Sequence, residues 1–234
     1  QIPRINKADF QKLSGAPYYE AARFVLRLFL DGITDSALLA KCKKAYSFWP
    51  RLEKAGGKKH ILWLDTGPTA SFKDFAAQMM SPLMGHKLEK GKKLFILTAT
   101  SGDTGSAIAN AFHNIPNIEI VILFPIDEVT PNQRKQMTTL GGNVKTIAVN
   151  GKFDDCQAMV KEAFADERLK KLKLSSANSI NIARLVPQSV YFIWAYAQLA
   201  KELNEEVIFS IPSGNFGDMM GAVLAWKMGL PVKK

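Results

Sequence analysis

Short apolar runs recur along the second two thirds of the chain, each leading into a loop of small polar residues and then a stretch with helical spacing. The runs fall at 61–64, 94–98, 118–124, 144–149 and 207–211, with helical stretches at 72–86, 105–112, 131–140, 154–164 and 180–203. Strands that are apolar nearly throughout must be covered on both faces, and helical crossovers make consecutive strands parallel. The pattern therefore specifies an α/β fold, a parallel sheet with helices on both faces. The helix at 131 carries a clear start signal. Thr130 can cap it, Pro131 takes its first position, and Gln133 lies three residues after the cap.

The first 58 residues carry a different pattern. Ala21, Phe24, Val25, Leu28 and Phe29 recur at helical intervals, and Thr34 can cap a helix that carries Leu38 and Leu39. Gly56-Gly57-Lys58-Lys59 reads as a surface turn. The expected organisation is a helical N-terminal region at 1–58, a first α/β domain at 59–203, and the start of a second α/β domain at 204–234. At Gly229–Lys234 a helix finishes and another strand is due, so the sheet is expected to continue beyond Lys234, leaving the fold incomplete at the C-terminus.

Composition narrows the classes further. With 47% hydrophobic and 22% charged residues, the chain can bury a real core and has no mark of disorder. The longest apolar run, 118–125, is too short to span a bilayer, and no signal-like segment opens the chain, so no membrane partner is expected. The net charge of +10 comes from scattered lysine groups, such as Lys41, Lys43 and Lys44, without interleaved aromatics. That arrangement reads as solvated faces and not as a nucleic-acid surface, although a positive field also suits a small phosphorylated anion. Cys42 and Cys156 form no CxxC pair, which fits a reducing cytoplasm. His60, His86 and His113 are isolated, so no metal site is expected.

Four segments sit where strands lead into helices, the place at which open parallel sheets bind ligands. In 66–75, Lys73 lies just after a Gly-Pro turn among Phe72, Phe75, Ala76 and Ala77. A lysine is usually a surface charge, but one partly buried this way becomes a nucleophile toward carbonyl carbons. In Thr100-Ser101-Gly102-Asp103-Thr104-Gly105, hydroxyls and amides at a helix start suit a carboxylate, or else simply cap the helix. Asn178, Ser179, Asn181 and Arg184 cluster at the start of a long helix, where Arg offers a planar fork for phosphate; the plainer reading is a capped helix with a solvated Arg. Ser213-Gly214-Asn215-Phe216-Gly217-Asp218 brackets Asn215 with glycines, which lets backbone amides approach an anion, or forms an ordinary turn.

Together and in this order, the segments resemble the threonine synthase family of fold-type II pyridoxal-phosphate (PLP) enzymes, whose fold is like that of the tryptophan synthase β subunit. The matching motifs are Gly-Pro-Thr leading to Phe72-Lys73-Asp74, Thr98-Ala99-Thr100-Ser101-Gly102-Asp103-Thr104-Gly105, Asn178-Ser179-x-Asn181-x-x-Arg184 and Ser213–Asp218. The resemblance covers most of 61–234. It departs at Thr66, where many members have His, and at Ser71, where Ala is frequent.

The resemblance implies specific roles. Lys73 would hold PLP and shuttle protons among the substrate's α, β and γ carbons. Ser213, Gly214, Asn215, Phe216, Gly217 and Asp218 would cradle the cofactor's phosphate. Thr100, Ser101, Gly102, Asp103 and Thr104 would hold the substrate carboxylate, with Asp103 also near the cofactor's ring oxygen. Asn178, Ser179, Asn181 and Arg184 would grip the phosphate of a small phosphorylated amino acid. The implied activity is a phosphate-eliminating lyase reaction that turns O-phospho-L-homoserine and water into L-threonine and phosphate. The alternatives are a related PLP lyase or dehydratase on another phospho- or hydroxy-amino acid, and an inactive PLP-binding fragment.

Overall fold

A computed structural model describes residues 1–89, 91–178, 181–200 and 205–233. The chain divides into two compact units, one built from 1–67 together with 182–234 and the other from 68–181.

The first unit begins with three helices, α1 (Lys7–Leu13), α2 (Tyr18–Arg27) and α3 (Asp35–Ala45). Each has a sequence-encoded start or face. Asn6 and Asp9 close a capping box on α1, the Thr34 hydroxyl accepts from the Ala37 N–H at the start of α3, and Tyr18, Ala21, Ala22, Val25 and Leu26 bury one side of α2.

The expectation of helix up to residue 58 fails at 51, where the strands β1 (Arg51–Gly56) and β2 (Lys59–Trp63) form an antiparallel ribbon. The run at 61–64 therefore belongs to this ribbon and not to the parallel sheet. Gly56 and Gly57, at φ 117° and 53°, make the turn that a strand reversal requires. The ribbon is exposed and held by side chains across it: Trp63 Nε1 donates to Glu53 Oε2 at 2.8 Å, and the Arg51 guanidinium lies 4.8 Å from the Trp63 ring centre.

The second unit holds the parallel sheet. Its elements are α4 (Lys73–Lys87), β3 (Leu94–Ala99), α5 (Asp103–Phe112), β4 (Ile118–Pro125), α6 (Pro131–Thr138), β5 (Val144–Val149), α7 (Phe153–Ala165) and β6 (Leu174–Ser176). The strand order is β5-β4-β3-β6, and every pairing is parallel. The expected runs at 94–98, 118–124 and 144–149 are the three longer strands; β6 was not expected. Ile96, Ile120 and Ile122 of the sheet, Phe75, Met79 and Met80 of α4, and Ile108 and Phe112 of α5 are fully buried.

The first unit is completed by α8 (Ile182–Leu199) and α9 (Gly217–Met228). Residues 186–197 are buried on every side of α8, which makes it a central helix and not a surface one. The N-terminal helices pack on it: Trp194 Nε1 donates to the Ala16 carbonyl at 3.1 Å, and Gln198 Nε2 donates to the Leu13 carbonyl at 3.0 Å. This packing joins 1–67 with 182–234, so the division differs from the expected cuts after 58 and after 203. In place of the expected strand at 207–211, the described residues show only an isolated parallel bridge between Val207 and Val232. The helix expected from 180 starts at Ile182; residues 179, 180 and 201–204 lie outside the described residues. No described helix is long and apolar enough to cross a membrane.

Candidate active site

In the sheet unit, Lys73 opens α4. Its side chain is 21% exposed, with Nζ 4.4 Å from the Phe72 ring centre and 2.7 Å from Asp103 Oδ2, to which it donates. The amine is thus half-buried among apolar groups yet reachable, as the sequence expected. Asp103 opens α5 and holds both sides: Oδ2 takes Lys73, and Oδ1 accepts from Gln133 Nε2 at 2.6 Å. Burial pushes the Asp103 carboxyl up, but the hydrogen bond and charge of Lys73 and the hydrogen bond from Gln133 outweigh it and hold the group below its usual value.

Asp74 follows Lys73 and has the opposite environment. It is fully buried, accepting from the Thr69 N–H and hydroxyl, both at 2.8 Å. Burial raises its carboxyl despite those bonds. It closes the loop that delivers Lys73, a loop in which Ala70 adopts φ 53°. The sequence carried Asp74 in the Phe-Lys-Asp motif without a role. Gln133 was legible only as a helix cap.

The Thr100–Gly105 loop is shaped from within. The Thr100 hydroxyl, 1% exposed, accepts from the Gly102 N–H at 3.0 Å and the Gly105 N–H at 2.9 Å. Thr100 and Gly102 therefore brace the loop, and Ser101, Asp103 and Thr104 are its more accessible side chains. Gly102 is required where it stands, because it adopts φ 134° and an added Cβ would lie 2.4 Å from the Gln133 amide carbon.

Asn178 ties β6 to the end of β3. Its Nδ2 donates to the Ala99 carbonyl at 2.7 Å while its Oδ1 accepts from the Ala99 N–H at 3.3 Å. Asn181 Nδ2 donates to the Ser176 carbonyl at 2.7 Å. Ser179 lies outside the described residues.

In the other unit, Arg184 is in the first turn of α8 and 3% exposed, which removes the reading of it as a solvated surface charge. Burial lowers its guanidinium to about 10, against an opposing effect of Tyr191. Such an investment in a desolvated cation suits a site that meets an anion. Ser213–Phe216 leads into α9. Phe216 caps that helix at φ 52°, costly for a bulky residue, and exposes its ring. Of the four non-glycine residues at positive φ among the described residues, two are asparagines, which tolerate it; the other two, Ala70 and Phe216, fall in candidate site loops. The Ser213 hydroxyl accepts from the Met219 N–H at 3.4 Å, and an added Cβ at Gly214 would meet nothing within 4 Å. An open turn feeding the N-terminus of a 12-residue helix fits a phosphate group. Asp218 differs from its neighbours: its buried carboxylate accepts a hydrogen bond from the Tyr191 hydroxyl of α8.

Each within its own unit, two places present groups of the kind PLP meets: an accessible amine beside a carboxylate at Lys73, and an open turn at a helix start at Ser213–Gly217. Over its whole length the chain is 44% identical to threonine synthase of Haemophilus influenzae, covering 55% of that protein. It superposes with a TM-score of 0.92 on the crystal structure of threonine synthase from Escherichia coli, at 41% identity and over 55% of that chain. With PLP-bound threonine synthase from Brucella melitensis the TM-score is 0.90 at 37% identity, over 52% of that chain. The chain spans about half the length of the curated relatives it matches. The profile of the family described as pyridoxal-phosphate dependent enzyme matches residues 48–233. The chain belongs to that family.

Proposed function

We propose that this chain carries residues of a cytoplasmic threonine synthase, which converts O-phospho-L-homoserine and water to L-threonine and phosphate. The observation that carries this reading is the Lys73–Asp103 pair at 2.7 Å, set between two helix starts in a chain similar to threonine synthases from end to end. PLP supplies an electron sink for carbanions of the bound amino acid.

The chain's own residues do the rest. Lys73 would hold the cofactor and move protons at the substrate's α, β and γ carbons. Asp103 keeps that amine in place between transfers. The turn at Ser213, Gly214, Asn215, Phe216 and Gly217 receives the cofactor's phosphate on backbone N–H groups, while Asp218, tied to Tyr191, anchors α9 behind it. Ser101 and Thr104 meet the substrate carboxylate on the loop that Thr100 and Gly102 brace. Arg184, with Ser179 and Asn181, receives the substrate's phosphate; Asn178 positions that segment.

Product analysis tests the reading. Supplied with O-phospho-L-homoserine and PLP, the protein should release threonine and inorganic phosphate in equal amounts, and O-phospho-L-threonine should give no product. Exclusive release of a keto acid from either phosphoester would replace the synthase by a lyase of the same family.

A further inference from the structure

We propose that Gln133 is a positioning residue for Asp103 and, through it, for the Lys73 amine. The Lys73 half of this rests on the reading of Lys73 as the group that holds PLP. Gln133 sits at the third position of α6, where its Oε1 accepts from the Thr130 N–H at 3.1 Å and from the Thr130 hydroxyl at 3.0 Å. A backbone N–H can only donate, so this contact fixes which end of the amide is oxygen. The nitrogen must then point the other way, and there it donates to Asp103 Oδ1 at 2.6 Å. The opposite flip would set the amide oxygen against a carboxylate and its NH2 against an N–H. One orientation alone satisfies both neighbours.

The loop is built around this amide. Gly102, at φ 134°, leaves the room that the amide fills, since an added Cβ would lie 2.4–2.6 Å from its atoms. The Ser106 hydroxyl reaches both the Gly102 carbonyl, at 3.2 Å, and the Gln133 carbonyl, at 3.3 Å, joining α5 to α6 at that level. A run of contacts thus leads from Thr130 through Gln133 and Asp103 to Lys73. With Oδ1 held by Gln133, Oδ2 is the oxygen left to face the amine.

Capping and positioning can be separated by chemistry. Glutamate at this position caps a helix as well as glutamine does, but it cannot donate to a carboxylate. Gln133→Glu therefore keeps the cap and turns the contact with Asp103 from attraction to repulsion. The groups bearing on Asp103 are Lys73 and Asp74 of α4 and Gln133 of α6.

The test uses the full chain without cofactor first. Carbon-13 carboxyl NMR would follow the titration of Asp103 in wild type, in Gln133→Glu and in the uncharged Gln133→Met, with thermal unfolding recorded for each. The midpoint of Asp103 should rise by about one pH unit or more in Gln133→Glu and by less in Gln133→Met, while Gln133→Glu unfolds near the wild-type temperature. In a second arm, borohydride trapping of PLP on Lys73 should slow about tenfold in Gln133→Glu. An unchanged Asp103 midpoint in either folded variant would make Gln133 a cap and nothing more. Wild-type protein that traps no PLP on Lys73 would overturn the cofactor reading and the Lys73 half of this proposal, leaving the titration to decide the Asp103 half.

Discussion

Two side-chain pairs, one in each unit, treat charge in opposite ways. In the sheet unit, Lys73 and Asp103 form a pair whose side chains are 21% and 41% exposed, so both stay in contact with solvent and can exchange partners at modest cost. In the unit of 1–67 and 182–234, Tyr191 and Asp218 are both buried, and Tyr191 spends its hydroxyl on Asp218. Charges withdrawn from water to that extent cost stability unless geometry compensates, and changing one partner exposes the full desolvation cost of the other. The first arrangement suits groups that must meet and release a reacting molecule. The second suits a fixed frame.

This contrast predicts that chemistry and stability separate between the two pairs. The largest effect is expected from Lys73→Ala, which should abolish borohydride-trapped PLP while changing stability by less than about 1 kcal/mol, as for other partly exposed pairs. Calorimetry together with mass analysis of the reduced protein would check both halves; retained trapping would move the cofactor amine elsewhere. Tyr191→Phe should behave conversely. It removes the donor to a buried carboxylate and should cost about 1.5–3 kcal/mol in chemical denaturation, with trapping at Lys73 maintained in the folded protein. A change below about 0.5 kcal/mol would show that the buried cluster is not a frame.

The smallest effect concerns acid pH. The folded Asp103 carboxyl lies below its unfolded value, so its pairing stabilises the protein above the ordinary carboxylate range and that contribution is lost as pH falls through the lower folded value. Asp103→Asn should therefore flatten the stability curve below about pH 4, by under about 1 kcal/mol because the pair is solvent-screened. Asp74, raised by burial, contributes a slope of the opposite sign, since protonation relieves its desolvation. An acid limb that steepens in Asp103→Asn would contradict the assignment.

What could be read beforehand follows the physics of each signal. The strands β3, β4 and β5 were legible because both faces are buried, which forces continuous apolar runs. The ribbon at 51–63 was not, because Arg51, Glu53, Lys54, Lys59 and His60 face solvent and give no apolar alternation. β6 spans three residues, Leu174-Ser175-Ser176, too few for any period to show. At 207–211 the run is apolar, but Ile208 is largely exposed and only Val207 bridges, so composition overstated the strand.

The site shows the same division. Local motifs announced Lys73, Asp103, Arg184 and the turn before α9. The contacts that arrange them join residues 27 to 30 apart, Tyr191 with Asp218 and Asp103 with Lys73 and Gln133, and such pairings are set by the fold and not by spacing. Gln133 was hidden for a further reason: its capping signal was complete in itself and left its second contact unannounced.

The most direct measurement is peptide mapping of the wild-type chain after incubation with PLP and reduction with borohydride. One dominant label is expected, on Lys73, with the other lysines at background. A label spread over surface lysines, or concentrated on any other one, would contradict the placement of the cofactor amine beside Asp103.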